Sequence, residues 1–463
     1  MRGWRVLALL FLASLLVRLL FLWPVVAAGV QPLYDENDYL QRAVAWREIL
    51  GTVAAGERPA PELVTNAYGG GDWPPLHPMV LALGLLFPGA GVGAARVVVA
   101  LISAATTPLV YVLTRRLASD DAARAAALLH LAYPGFVAYS HYLWSESTYV
   151  LLLLASMLAV IDSAEATTPG SRARRALVAG ICLGGAALTR AGALPVLAVL
   201  PVWLSSRLAR LGLRPLAAVV VLVCSVAVLL PWLLALRARE GHWVPVSTMT
   251  GYNLALGNNP WVPPGYGSCW GIEPCKAQLM AALERRAAGR GGDWKRAAAG
   301  FAREQVAAQP MTFLRRSAER LRMLWAPEFF PLRHLAQGVY PALPKPVAVL
   351  VLLAVVGGHL LFGLAAIAGL LGWKTGPPGG LALSPGLLLL LVLAGSAAPL
   401  VTFAIPRLNL PVLALLLPAA GHGLVLARHH RLPPARWLVP ASLGFVLLSA
   451  SALPLIARGY LMP

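Results

Sequence analysis

Two places in this chain put carboxylates where they could take a proton from a reacting group. Asp35 and Glu36 stand together in the run Tyr34-Asp35-Glu36-Asn37-Asp38-Tyr39, shortly beyond the first apolar stretch. Glu146 heads the run Ser145-Glu146-Ser147-Thr148-Tyr149-Val150-Leu151. Of the 19 acidic residues nearly all fall in predicted loops, and Glu146 alone adjoins an apolar face. A carboxylate within hydrogen-bonding reach of an attacking hydroxyl or amine is a general base. The residues also allow plainer roles. Asp35 or Asn37 could cap a helix running through Trp46, and Glu146 could simply meet a helix dipole, for ~0.3–1 kcal/mol.

The elements that position these acids are membrane helices. Hydrophobic residues make up 58% of the 463 and charged residues 12%, with a mean hydropathy of +0.70. Apolar runs recur near the ~20 residues that cross a bilayer. The net charge of +19 does not point to nucleic acid, because the Arg residues cluster in short loops between apolar runs, where the positive-inside rule puts them. The first run follows Arg2 and Arg5 like a signal peptide, but it is long and Ala27-Ala28-Gly29 is its best cleavage site, so an uncleaved helix with its N-terminus in the cytoplasm is expected.

Eleven spans follow, at 6–24, 94–114, 122–139, 147–163, 176–189, 191–206, 215–236, 346–371, 382–404, 408–427 and 437–456. Every second connection is then basic: Arg115, Arg116 and Arg124; Arg172, Arg174 and Arg175; Arg207, Arg210 and Arg214; Lys374; Arg428, Arg431 and Arg436. The run from Leu76 to Phe87, between Pro74-Pro75 and Pro88-Gly89, is too short to span and fits an interfacial helix. Three parts emerge: a membrane module at 1–236 that includes a first outer loop at 25–93, an outer segment at 237–345, and C-terminal membrane helices at 346–463. Chemistry is expected on the outer face of the cytoplasmic membrane, where Asp35 and Glu146 share a side.

The outer segment is amphiphilic and mixed. It opens with a Gly/Pro/Asn/Trp-rich stretch that includes the turn Gly257-Asn258-Asn259-Pro260 and closes with a basic, helix-like run from Phe301 to Trp325. Trp243, Trp261, Trp270 and Trp294 could stack on sugars or anchor the interface, while Arg303, Arg315, Arg316, Arg320 and Arg322 are expected to meet lipid phosphates. Cys269 and Cys275 either form a disulfide in an oxidising exterior or remain free thiols. No CxxC pair or His/Cys spacing of metal type occurs, so a structural zinc site is not expected.

Taken in order, several motifs resemble those of the polyprenyl-phosphate-sugar-dependent glycosyltransferases of the type C fold, the superfamily of protein O-mannosyltransferases and the aminoarabinose transferase of lipid A. They are Asp35-Glu36-x-x-Tyr39, Trp73-Pro74-Pro75-Leu76-His77-Pro78, Ala95-Arg96, Leu143-x-x-Glu146, Leu188-Thr189-Arg190, Gly257-Asn258-Asn259-Pro260 and Pro406-Arg407-Leu408-x-x-Pro411. No one motif is specific; their order and placement from about residue 5 to residue 425 carry the likeness. The resemblance implies an all-α polytopic fold, interfacial helices in the first outer loop, and transfer of a sugar from a polyprenyl phosphate to a lipid, glycan or protein acceptor.

On that reading Asp35 is the base, with Glu36 orienting or contacting substrate and Glu146 positioning donor or acceptor. Arg190 and Arg407 clamp the departing phosphate, although snorkelling to headgroups is their plainer role. Relatives often carry Lys where this chain has Arg190. Tyr39, His77, Arg96, Asn258 and Asn259 complete the expected substrate contacts. No cofactor is implied, and an acidic pair in place of Asp-x-Asp leaves divalent metal open. A transporter or flippase of lipid-linked sugars is the alternative, as is a non-catalytic scaffold. The first favours inverted repeats and mid-span charges, and neither a repeat nor a mid-span acid is evident. A scaffold has no need of the acids. Past residue 457 only Ala457 to Pro463 remain, so acceptor recognition is expected to use the segment 237–345 or the membrane.

Overall fold

The computed structural model describes residues 3–87, 89–288, 292–340, 343–373 and 385–456. Lys374 and the segment 457–463 lie outside them. All regular structure among the described residues is helical. All eleven expected spans fall on helices. Seven of these are long and apolar enough to cross a membrane: Gly3–Ala27, Val92–Leu117, Glu146–Glu165, Ala191–Arg210, Leu216–Glu240, Lys345–Gly372 and Pro406–Arg428. The other four fall on Asp120–Ala132, Pro169–Ala187, Pro385–Val401 and Ala435–Ser451, which are shorter or carry more charge.

Proline accounts for two departures from the expected pattern. The span expected at 122–139 is a helix only to Ala132; Tyr133 is extended (φ −65°, ψ 122°) and a separate turn of helix covers Pro134–Ala138. Proline restricts the residue before it and cannot donate to the preceding turn. Pro310 likewise divides the basic run from Phe301 into Trp294–Ala308 and Pro310–Leu324, with Gln309 between them.

The segment expected as the first outer loop, 25–93, folds as helices Asp35–Ala54, Pro61–Tyr68 and Leu76–Leu85. The last, at ten residues, reaches ~15 Å, about half a bilayer core, as expected of an interfacial helix. The segment expected on the outer face, 237–345, comprises helices Thr250–Gly257, Glu273–Ala288, Trp294–Ala308, Pro310–Leu324 and Phe330–Ala336 with loops between them. Leu256, Val262, Leu279, Leu283, Ala298 and Phe301 form its own small core. There Cys269 and Cys275 are joined by a disulfide.

The bundle has two chemically distinct ends. At one, Arg116 bridges Asp162 at 3.2 Å and Glu165 at 3.1 Å, and Arg172 and Arg175 donate to the carbonyls of Ala166 and Asp162. Glu146, at the opposite end of the helix that carries Asp162 and Glu165, belongs to the other. Helices Lys345–Gly372 and Leu410–Arg428 approach so closely that a Cβ at Gly369 or Gly423 would collide with the carbonyl of Ala419 or Ala365, the small-residue contact typical of membrane helices.

Candidate functional site

Four charged side chains from four elements converge at the acidic end. Glu146 opens its helix, Asp35 opens the first helix of the outer loop, Arg190 precedes a 3-10 turn, and Arg407 lies in the turn Pro406–Asn409. Arg407 Nε donates to Glu146 Oε1 at 2.5 Å and its Nη2 to Asp35 Oδ2 at 3.1 Å. Arg190 Nη1 donates to the same Glu146 oxygen at 2.5 Å and to Ser145 Oγ at 3.2 Å. Tyr39 donates to that Ser145 hydroxyl at 3.3 Å. The Arg407 guanidinium lies 4.1 Å from the centre of the Trp144 ring, a cation–π contact that fixes its plane.

Asp35 does not cap its helix. The capping position is Tyr34, held at φ 50°, and no side chain caps the end. Such a backbone is costly for a residue other than glycine. Glu36 offsets the cost: its Oε2 accepts from the Leu33 amide at 3.0 Å and its Oε1 from the Leu143 amide at 2.8 Å. Burial holds the Glu36 carboxyl above its ordinary range, against the pull of those two N–H groups. Glu36 thus ties the strained turn before Asp35 to the turn before Glu146, which sets the spacing between the two acids.

A cavity of about 400 Å³ opens over this cluster. Asp35, Tyr39, Glu146, Arg190 and Arg407 line its polar end, with Trp73 and Trp270; Leu194, Pro195, Ala398 and Pro399, from the helices on either side, and Phe403 line an apolar extension. The Asp35 side chain is 31% exposed against 2% for Glu146. The acid that can reach a ligand is therefore Asp35, while Glu146 holds the two guanidiniums.

Several expected contacts do not line the cavity. Glu36 is the backbone clamp just described. His77 is fully buried between Thr148 Oγ1 at 3.0 Å and the Leu143 carbonyl at 2.9 Å. Arg96 donates to the Val30 carbonyl at 2.7 Å. Asn258 donates to the Leu254 and Val401 carbonyls, and Asn259 to the Ala255 and Leu256 carbonyls. These polar groups satisfy buried backbone, which needs partners as much as any ligand does. Arg320 is no headgroup contact either. It is fully buried and donates to the carbonyls of Gly257, Gly267, Leu400 and Val401 and to Asn258 Oδ1.

Other residues that shape the cavity were not evident from sequence. Trp144 and Ser145 are the unread positions of Leu143-x-x-Glu146. Arg42 donates to the Gly69 carbonyl at 2.8 Å and so fixes the approach to Trp73. Asp72 accepts from Thr248 at 2.6 Å and pairs with Lys295, which ties the outer loop to the outer segment. Their polar partners lie more than 170 positions away in sequence for Asp72, so local pattern gives no signal. Among the described residues no group of three or more His, Cys, Asp or Glu is placed to hold a metal ion.

Fold and site together define a multi-pass membrane protein with an acid–guanidinium cavity at one end of its bundle. Residues 72–234 match the family described as dolichyl-phosphate-mannose-protein mannosyltransferase. That match includes Glu146 and Arg190, and it supports the resemblance drawn from the motifs. No curated protein matches the chain. Among solved structures, ArnT from Cupriavidus metallidurans in the apo state is similar at 17% identity over 90% of this chain and 77% of that one, with a TM-score of 0.37. The same protein bound to undecaprenyl phosphate is similar at 17% identity over 97% and 80%, with a TM-score of 0.39. A likeness of that size carries no functional argument.

Proposed function

We propose that the protein is a membrane glycosyltransferase that moves one sugar from a polyprenyl monophosphate donor to a lipid, glycan or protein acceptor. The observation that carries this reading is the single cavity in which an accessible carboxylate, Asp35, lies beside two guanidiniums, with an apolar extension suited to a prenyl chain. The family match over residues 72–234 supports it. In the proposed step the acceptor oxygen or nitrogen attacks the anomeric carbon and gives its proton to Asp35. The bond from that carbon to the phosphate oxygen breaks, and its electron pair leaves with the polyprenyl phosphate. Attack opposite the leaving group inverts the configuration and needs no enzyme nucleophile.

As the phosphate gains charge, Arg190 and Arg407 stabilise it. Arg407 has a donor to spare: its Nη1 makes no hydrogen bond among the described residues, whereas Nε and Nη2 are taken by the two acids. The step as proposed uses no metal. We further infer eleven crossings of the cytoplasmic membrane, the N-terminus inside and the cavity on the outer face. The basic loops at the far end of the bundle and the disulfide in the outer segment, a bond of oxidising compartments, support that orientation.

The reading is tested by incubating wild type and Asp35→Asn with a total membrane lipid extract and identifying co-purifying lipids by mass spectrometry. A polyprenyl monophosphate bearing a sugar, held more fully by the variant than by wild type, is expected. Ordinary phospholipid alone in both samples would overturn the reading.

A further inference from the structure

Behind the cavity wall, Glu146 Oε2, Tyr139 Oη and Glu328 Oε2 are buried with no close hydrogen bond, and the Tyr139 phenol and the Glu328 carboxyl face each other as one weakly satisfied pair. Glu328 lies in the turn between helices Pro310–Leu324 and Phe330–Ala336, 4% exposed, and its other oxygen accepts from the Phe330 amide at 3.0 Å. The Phe330 ring packs on Trp144 at 5.3 Å, and Trp144 is the ring that supports the Arg407 guanidinium. Tyr139 packs on the same Trp144 at 5.6 Å. Glu328 thus joins Asp35, Glu36 and Glu146 as a carboxylate of this region, built into the wall that holds the proposed phosphate clamp.

Resting on the glycosyltransferase reading, we propose that Glu328 sets the charge of the donor site: it takes up a proton when an anionic phosphodiester enters the cavity and releases it when the cavity empties at alkaline pH. The charge count motivates this. Asp35, Glu36 and Glu146 balance Arg96, Arg190 and Arg407, so an ionised Glu328 would leave the region with one excess negative charge before any anionic ligand arrived. The titratable and charged groups that face Glu328 are Tyr133, Tyr139, Glu146 and Arg407. Burial pushes its carboxyl up to about 7, with Glu146 adding to the rise and the Phe330 amide, the Tyr139 phenol and Arg407 opposing it. A bound phosphodiester adds a further negative charge and raises the proton affinity again. Proton uptake and anion binding are then linked, each strengthening the other.

Farnesyl methyl phosphate is a suitable probe, because a phosphodiester keeps one negative charge throughout the range of interest. Its affinity for the purified full chain in detergent is expected to fall about tenfold between about pH 6 and about pH 9. Isothermal titration in two buffers of different ionisation enthalpy should show net proton uptake by wild type near neutral pH. In Glu328→Gln the affinity should stay near the wild-type acidic value throughout, with the proton uptake lost. A slope unchanged in the variant, or pH-independent binding without proton uptake by wild type, overturns the proposal and leaves the donor reading standing. Failure of wild type to bind the probe at any pH overturns both. Absence of proton uptake by wild type overturns the proposal even where the variant folds poorly.

Discussion

Two of the arginines that the protein buries near its acidic end, Arg320 and Arg407, differ in what holds them. Arg320 sits where the outer segment meets helix Pro385–Val401, and all three of its nitrogens are spent on carbonyls and one amide oxygen. Arg407 sits at the cavity with two nitrogens on carboxylates and the third without a protein bond among the described residues. A guanidinium saturated by carbonyls is a brace. One held by acids, with a donor left over, is oriented for an anion and can rearrange when the anion competes for it. Partner chemistry, more than burial, separates the structural arginine from the proposed binding arginine here.

The sharpest test of the cavity side is its proposed base. Asp35→Asn keeps the shape and removes the proton acceptor, so transfer from a polyprenyl-phosphate sugar should drop by about 10²–10⁴ while the protein still extracts and purifies as wild type. Full activity in the variant would remove Asp35 from the mechanism. Next come the two arginines themselves. Arg407→Gln should lower transfer by roughly 10²–10³ with a modest change in unfolding temperature. Arg320→Gln should do the reverse: stability falls by about 3 kcal/mol as buried carbonyls lose their donors, and the folded fraction keeps its probe affinity. If both variants lose activity in proportion to stability, the distinction between brace and clamp fails.

The comparison also shows what sequence can and cannot disclose. Asp35, Glu146, Arg190 and Arg407 were legible because charged residues are rare and costly in so apolar a chain; the last three stand where an apolar run begins or ends, and Asp35 follows shortly after one. Their convergence on Glu146 Oε1 was not, since it joins positions 261 residues apart. Asn258 and Asn259 were read as ligand contacts because a polar turn looks alike whether it faces a sugar or a carbonyl. The reason for Gly257 is equally non-local: a Cβ there would strike the Thr402 carbonyl. Glu328 gave no signal, sitting between Pro327 and Phe329-Phe330, where neither period nor motif marks it. The helices themselves were legible from hydropathy, and their breaks at Pro134 and Pro310 follow from proline chemistry that the span boundaries had overridden.

Glu328 extends the contrast to acids, because it is buried without the cationic partners that Glu146 has. Its folded-state carboxyl lies at about 7 against an ordinary value of 4.5, so between those values the native state holds more protons than the unfolded one. Stability must then fall as pH rises through that window, and the loss is complete above about 7. Glu328→Gln removes the titration. It should raise thermal stability relative to wild type at about pH 8, by up to roughly 3 kcal/mol, and bring no comparable gain at about pH 4. Equal effects at both pH values would mean that the carboxyl is not carried neutral in the fold.

The smallest expected effect separates the two cavity arginines from each other. Arg190 engages through one nitrogen, Nη1, which serves both Glu146 and Ser145, and its side chain is 20% exposed. A lysine ammonium, a compact point charge, can occupy that position and reach the same carboxylate. Arg407 instead splits its planar fork between two acids over the face of Trp144, and no ammonium can meet both at once in that geometry. Arg190→Lys should therefore cost transfer about threefold to tenfold, chiefly in donor KM, whereas Arg407→Lys should lower kcat by about a hundredfold. Steady-state kinetics on the two variants would decide it. Equal losses would mean that charge alone matters at the clamp, and the orientation imposed by Glu146, Asp35 and Trp144 would then have no part in catalysis.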